Sequence, residues 1–110
     1  MAEVFKNAYE DGTTSLADLI PALDSGHSAI VLSLRATNVD GTNDATVDVQ
    51  VVDTGGSPTA YIAKTMSVPA DTSLELAGTS KLVLETGDKI QALASAASDV
   101  EIFVSYLEIT

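Results

Sequence analysis

The chain has no cysteine and no tryptophan, a single histidine and a single arginine, and its only aromatic side chains are two Phe and three Tyr. Each scarcity excludes something. Without thiols there is no disulfide framework and no thiolate metal site, so stiffness must come from packing. His27, the only histidine, stands in a Gly/Ser loop, where a zinc site would need carboxylates for the rest of its ligands. Ser25 and Ser28 are too close to it in sequence to form a nucleophile–base pair, so no triad can be assembled. An exposed loop histidine is the simpler reading, with a pH switch or general base as the sharper one. The few aromatics leave Tyr9, Tyr61 and Tyr106 as the only tyrosines for a sugar platform. Gly55-Gly56 has no phosphate-loop or dinucleotide context and reads as a turn with Pro58.

Positive charge is equally scarce. Five basic residues stand against 16 acidic ones, a net charge of −11. Phosphate backbones and anionic membrane surfaces are both bound through Lys and Arg, so neither nucleic acid nor membrane is an expected partner. No apolar run approaches the roughly 18 residues of a membrane span. The first residues, MAEVFKNAYEDGTT, lack the basic start and apolar stretch of a signal peptide, so assembly in a cytoplasm without an address is the expectation.

What is present is aliphatic and β-branched. Hydrophobic residues make up 45% of the chain, enough to exclude disorder despite the charge. Val, Ile, Thr and Ser favour strands. Residues 28–38 (SAIVLSLRATN) and 45–53 (ATVDVQVVD) read as strands. In the first, Ile30, Leu32, Leu34 and Ala36 are expected on one face; in the second, Val47, Val49 and Val51 face inward and Thr46, Asp48 and Gln50 outward. The VDGTND connection between them suits a tight turn, so the pair is expected to form an antiparallel hairpin. Residues 59–68 form a further strand with Ile62, Met66 and Val68 on one face. Shorter strands are expected at 73–76, 81–85 and 89–94.

The last run, residues 100–109 (VEIFVSYLEI), differs from the rest. Val100, Ile102, Val104 and Tyr106 share one parity, and Phe103, Leu107 and Ile109 the other, so the strand is apolar on both faces. One parity belongs in the core; the other is expected to meet a second surface, and another subunit is the simplest account. Turn signals every eight to twelve residues predict an all-β fold, a single antiparallel jelly-roll-like sandwich of about seven to eight strands. Residues 1–12 are expected as an N-terminal arm or edge strand and 13–110 as the sandwich domain. Within 13–22, Leu16, Leu19 and Ile20 fit a helical turn or an edge strand equally well.

Asn38, Asp40, Asn43 and Asp44 form the densest oxygen cluster. A hard cation could use Asp40, Asn43 and Asp44, but the segment lacks EF-hand spacing and its closing Glu. A loop closed by side-chain turns is the simpler reading. Arg35 lies on the outer parity of its strand, where it serves either as an interface residue or as a solvated charge. No cofactor site and no catalytic residue emerges.

The phrases VPADTSLEL (68–76), KLVLETGDKI (81–90), ASAASDVEIFVSYLEI (94–109) and TNVDGTNDATVDV (37–49) resemble small virion proteins of tailed bacteriophages. That resemblance implies a non-enzymatic particle protein, above all a homotrimeric head decoration or cement protein bridging capsomers. Its partners would be copies of itself and the major capsid protein. It implies no transferable active-site residue. The expected interface comprises Phe103, Leu107, Ile109, Arg35, Phe5 and Tyr9, with the N-terminal segment reaching toward the capsid. A neck, collar or tail accessory protein and a carbohydrate-binding adsorption module are the alternatives.

Overall fold

A computed structural model describes residues 2–53, 59–77 and 81–110. The turn expected at Gly55, Gly56 and Pro58 lies outside the described residues. Among those residues there is no helix and there are nine strands, one or two more than the turn spacing suggests: β1 (Glu3–Asp11), β2 (Ala17–Ile20), β3 (Ser28–Asn38), β4 (Ala45–Asp53), β5 (Thr59–Val68), β6 (Ser73–Glu75), β7 (Leu82–Leu84), β8 (Asp88–Ala94) and β9 (Val100–Ile109). Two antiparallel sheets form a jelly-roll-like sandwich. One runs β1-β9-β3, with β6 and β7 paired side by side along the far edge of β3; the other runs β2-β8-β4-β5.

The core between the sheets is aliphatic and close. Ile20, Leu34, Leu84, Ile90, Ile102 and Val104 are fully enclosed, interleaved with Ala29, Ala36, Ala92 and Ala94. Burying each large aliphatic side chain stabilises the fold by about 1.5–3 kcal/mol, while the alanines let the sheets approach. Gly12, where the chain passes from β1 to β2, sits at the tightest point. A Cβ there would lie 2.7 Å from Ala94 Cβ and 2.9 Å from the Val100 carbonyl oxygen, so only glycine fits without a shift.

The structure corrects the expected β3–β4 hairpin. β3 belongs to the first sheet and β4 to the second, and residues 39–44 carry the chain across the sandwich. Both strands alternate as hairpin strands do, but each finds its partners elsewhere: β3 with β9, β6 and β7, and β4 with β5 and β8. Such sheet-to-sheet crossings characterise jelly rolls, and no local signal separates them from a hairpin turn.

A second correction concerns which way β3 faces. A bulge between Val31 and Ser33 inserts an extra residue against β9. Side-chain parity reverses there: Ala29 and Val31 are buried before it, Leu34, Ala36 and Asn38 after it. Ile30 therefore lies on the outer face rather than in the core. The bulge falls in the gap between β6 and β7, where Glu75 reaches back to accept the Leu34 backbone N–H at 2.8 Å and the Ser33 hydroxyl at 2.9 Å. Burial acts to raise the Glu75 carboxyl, but these donors and the Ala77 N–H outweigh it and hold the pKa below the usual range.

β5 departs in the same way. Two register shifts against β4 and a left-handed backbone at Thr65 (φ 50°) place Ala63 and Val68 in the core. Met66 is left outside, 41% exposed. Asp48 spans the irregularity by accepting the Thr65 N–H at 2.8 Å and the Lys64 amine at 3.3 Å. Gln50, expected outside, is buried, its amide donating to Gln91 at 3.0 Å. Residues 17–20 take the edge-strand alternative, as β2.

Candidate assembly surface

β9 runs between β1 and β3, and the register defines rows of side chains across the outer face of this sheet. Phe5 stands opposite Leu107, Leu107 opposite Ile30, and Ile30 opposite Val83. Tyr9 stands opposite Phe103, Phe103 opposite Arg35, and Arg35 opposite Glu75. These rows lie about 13 Å apart, four residues along a strand, with Asn7, Ser105 and Ser33 between them. Acidic residues occupy the ends: Glu3 at one, Asp11 and Glu101 at the other.

This face carries unusual apolar exposure for a chain of such charge. Phe5 is 77% exposed, Tyr9 71%, Val83 67% and Phe103 43%. Ile30, Leu107 and Ile109 are half-buried beside them. Phe5, Tyr9, Phe103, Leu107, Ile109 and Arg35, the residues singled out from the sequence, all fall on this one face. Val83 and Ile30 extend it and were not in that set. Val83 sits in a three-residue strand, and Ile30 reads as inward because the bulge is invisible to a period of two.

Beneath this sheet, at one end of the sandwich, lies an ionic cluster that the sequence did not foretell. Glu108 is buried, with Oε1 3.0 Å from the Lys6 amine and Oε2 2.6 Å from His27 Nδ1. An ionised carboxylate only accepts, so His27 Nδ1 carries the proton in this contact. The hydrogen bonds from His27 and then Lys6 hold the Glu108 carboxyl below its ordinary value, and Glu108 in turn raises Lys6. His27 is thus a positioned residue, not a bland loop side chain. The cluster ties β1, β9 and the loop before β3 together beside a cavity of about 140 Å³ lined by Ile20, Leu23, Asp24 and Tyr106.

The sign of its pH dependence follows. A depressed folded-state pKa contributes stability that is present above the unfolded carboxylate value, about 4.3, and lost as pH falls through the folded value. Glu108 and Glu75 both act in this direction. The melting temperature is therefore expected to drop between pH 5 and pH 3, roughly the range that follows from that carboxylate value. Glu108→Gln should melt lower than wild type near neutrality and show a smaller acid drop. Equal acid drops in the two proteins would remove Glu108 from the account.

The oxygen-rich connection 39–44 serves the fold. Asp40 accepts the Thr42 and Asn43 N–H groups at 2.8 and 3.3 Å and the Asn43 side-chain amide at 3.2 Å, contacts that lower its pKa. Asp44 accepts the Ala70 N–H at 3.1 Å. Asp40, Asn43 and Asp44 spend their polar atoms as turn closures. Among the described residues, no group of three His, Cys, Asp or Glu side chains converges as a metal site would require.

No protein-family model and no curated protein matches the chain. Solved structures share its fold. A chain from the capsid of the Helicobacter pylori bacteriophage KHP30 superposes over 100% of this chain and 89% of its own, with TM-score 0.55 and 14% identity. A subunit of the Bacillus endospore appendages, a family of disulfide-linked pili, covers 99% of this chain and 87% of its own, with TM-score 0.57 and 15% identity. The T13 particle of infectious bursal disease virus contributes a match over 96% of this chain but only 30% of its own, with TM-score 0.57 and 12% identity. At these identities the likeness is one of fold, a jelly-roll-like sandwich found in phage and viral particles and in a pilus.

Proposed function

We propose that the chain is a non-enzymatic structural protein of a bacteriophage virion, and within the virion a head decoration protein that stabilises the shell by bridging capsomers. The observation that carries this reading is the outer face of the β1-β9-β3 sheet. It presents one apolar row, Phe5–Leu107–Ile30–Val83, and a second in which Tyr9 and Phe103 continue into Arg35 and Glu75. The rows are separated by a strip of small polar groups and bounded by acidic ends, in a fold that builds phage and viral particles. Buried aromatic and aliphatic centres with polar rims are the usual anatomy of protein interfaces. Homotrimers are the proposed assembled form, in keeping with the general preference for closed symmetry, and the major capsid protein is the proposed second partner. The acidity away from the face keeps the free subunit soluble until it docks. A covalent pilus-like assembly is disfavoured, since this sequence has no cysteine to link subunits.

Reconstruction of purified particles, with the protein's copy number measured by quantitative mass spectrometry, tests this directly. Density on the head in a number that follows the capsomers is the expected result. Density confined to neck or tail, or absence from the particle, would overturn the decoration reading.

A further inference from the structure

We propose that the free edge of β1 is a pairing edge, on which a second copy of this chain adds its own β1 antiparallel across a two-fold axis at Asn7. This contact is made by the strand edge, although its Phe5 and Tyr9 side chains also belong to the outer face, and it does not depend on the virion reading.

Edge strands expose unpaired N–H and C=O groups, and proteins blunt them by shortness, bulges, proline or charge. Among the described residues, the other edges of this sandwich are blunted. β2 has four residues and a register shift. β5 carries two shifts, the left-handed Thr65 and the exposed Lys64. β6 and β7 have three residues each. β1 has no shortness, bulge or proline: its nine residues run in unbroken register with β9, without positive φ, and its acidic charges are Glu3 and Asp11 at the strand ends and Glu10 on the inward parity. Its one cation, Lys6, is drawn under the sheet to Glu108.

The ladder with β9 also sets which groups are free. The Thr110 N–H donates to the Ala2 carbonyl at 2.9 Å, and the Gly12 N–H to the Val100 carbonyl at 2.6 Å. Antiparallel bonds alternate, so the even residues of β1 bond to β9. Glu3, Phe5, Asn7, Tyr9 and Asp11 therefore turn their N–H and C=O groups to the open edge. A two-fold axis at Asn7 pairs every one of these groups. It sets Asn7 against Asn7 of the second copy and Phe5 against Tyr9 of the second copy, an aromatic cross-strand pair made twice. The row through Leu107 and Phe5 then runs on into Tyr9 and Phe103 of the second copy, so the apolar face becomes continuous across the seam. Shifting the axis to Ala8 leaves Glu3 unpaired and sets Phe5 against Asp11. Only the strand ends meet with like charge, Glu3 against Asp11, so pairing should tighten as salt screens them.

Single cysteines read this register cleanly, because the sequence has no other thiol. Residues in a hydrogen-bonded antiparallel pair have Cα atoms about 5.5 Å apart, within disulfide reach. Under mild oxidation of the full chain, Asn7→Cys should form a disulfide dimer, Phe5→Cys should stay monomeric on a denaturing gel, and the Phe5→Cys/Tyr9→Cys double variant should cross-link. Asn7→Pro keeps every bond to β9, because the Asn7 N–H points outward and edge strands accept proline there. It should therefore melt close to wild type yet lose the salt-strengthened part of the self-association seen in sedimentation, leaving the association through the outer face. A wild type without salt-strengthened pairing, no cross-link from Asn7→Cys, or equal cross-linking of Asn7→Cys and Phe5→Cys would each overturn the proposal. Should Asn7→Pro fail to fold, the cysteine series still decides. Phe103→Ser separates the two contacts: it should weaken assembly through the face while an added Asn7→Cys still cross-links.

Discussion

Asn38→Asp, a change of one amide to one carboxyl, is expected to destabilise the protein by about 3–5 kcal/mol at neutral pH, the order seen when a buried charge is left without compensation. Asn38 is fully enclosed. Its amide nitrogen donates to the Asn43 and Val68 carbonyls, both at 2.9 Å, and its Oδ1 accepts the Asp40 N–H at 2.9 Å. One side chain thereby fastens the end of β3 to the crossing 39–44 and to the end of β5 in the opposite sheet. A carboxylate would set negative oxygen against two carbonyl oxygens with no water to screen them. The loss is a large share of the about 5–15 kcal/mol that holds a domain of this size. Protonation restores one donor, so the gap between variant and wild type should narrow as pH falls toward 4, near the ordinary Asp value. Urea unfolding at both pH values measures it. A gap that is small at neutral pH, or that widens in acid, would show that Asn38 does not pin the crossing.

Asn38 also marks where sequence reasoning stops. The loop 39–44 was legible as a turn built from side-chain hydrogen bonds, and Asp40 performs that role. That the turn joins two sheets was not legible, because β3 and β4 each alternate as a hairpin's strands would. Strand positions were easier: β3, β4, β5 and β9 fall where periodicity and turn residues put them, since burial on one face imposes a period of two. Facing was lost wherever a bulge intervened, at Val31/Ser33 in β3 and around Thr65 in β5, because one extra residue reverses parity without changing composition. The Lys6–Glu108–His27 cluster joins residues far apart in the chain and leaves no local trace. For the two-sided strand β9 the facing needed no long-range knowledge, since Val104 inside and Phe103 outside follow from parity, but its place between β1 and β3 did, because parity reports faces and not edge neighbours.

That outer parity carries the other large effect. Phe103→Ser and Leu107→Ser are each expected to weaken self-association by roughly 10- to 100-fold, the loss of about 1.5–3 kcal/mol that burial of such a side chain supplies. Both should leave the melting temperature of the isolated subunit within a few degrees of wild type, as expected for surface substitutions of about 0.5 kcal/mol. Phe103 is 43% exposed and Leu107 half-buried, whereas Val104 and Tyr106 on the opposite parity are buried in the sandwich. Val104→Ser supplies the contrast. It creates a cavity and buries a hydroxyl between the sheets, so it should lower stability by about 2–4 kcal/mol and reduce association only as folding fails. Sedimentation velocity and thermal melting on the three variants separate the two kinds of loss. If Phe103→Ser and Leu107→Ser melt as far down as Val104→Ser, both faces of β9 are structural and assembly uses another surface. If instead they keep the fold and lose assembly, the outer parity of β9 is the wall that the subunit shares.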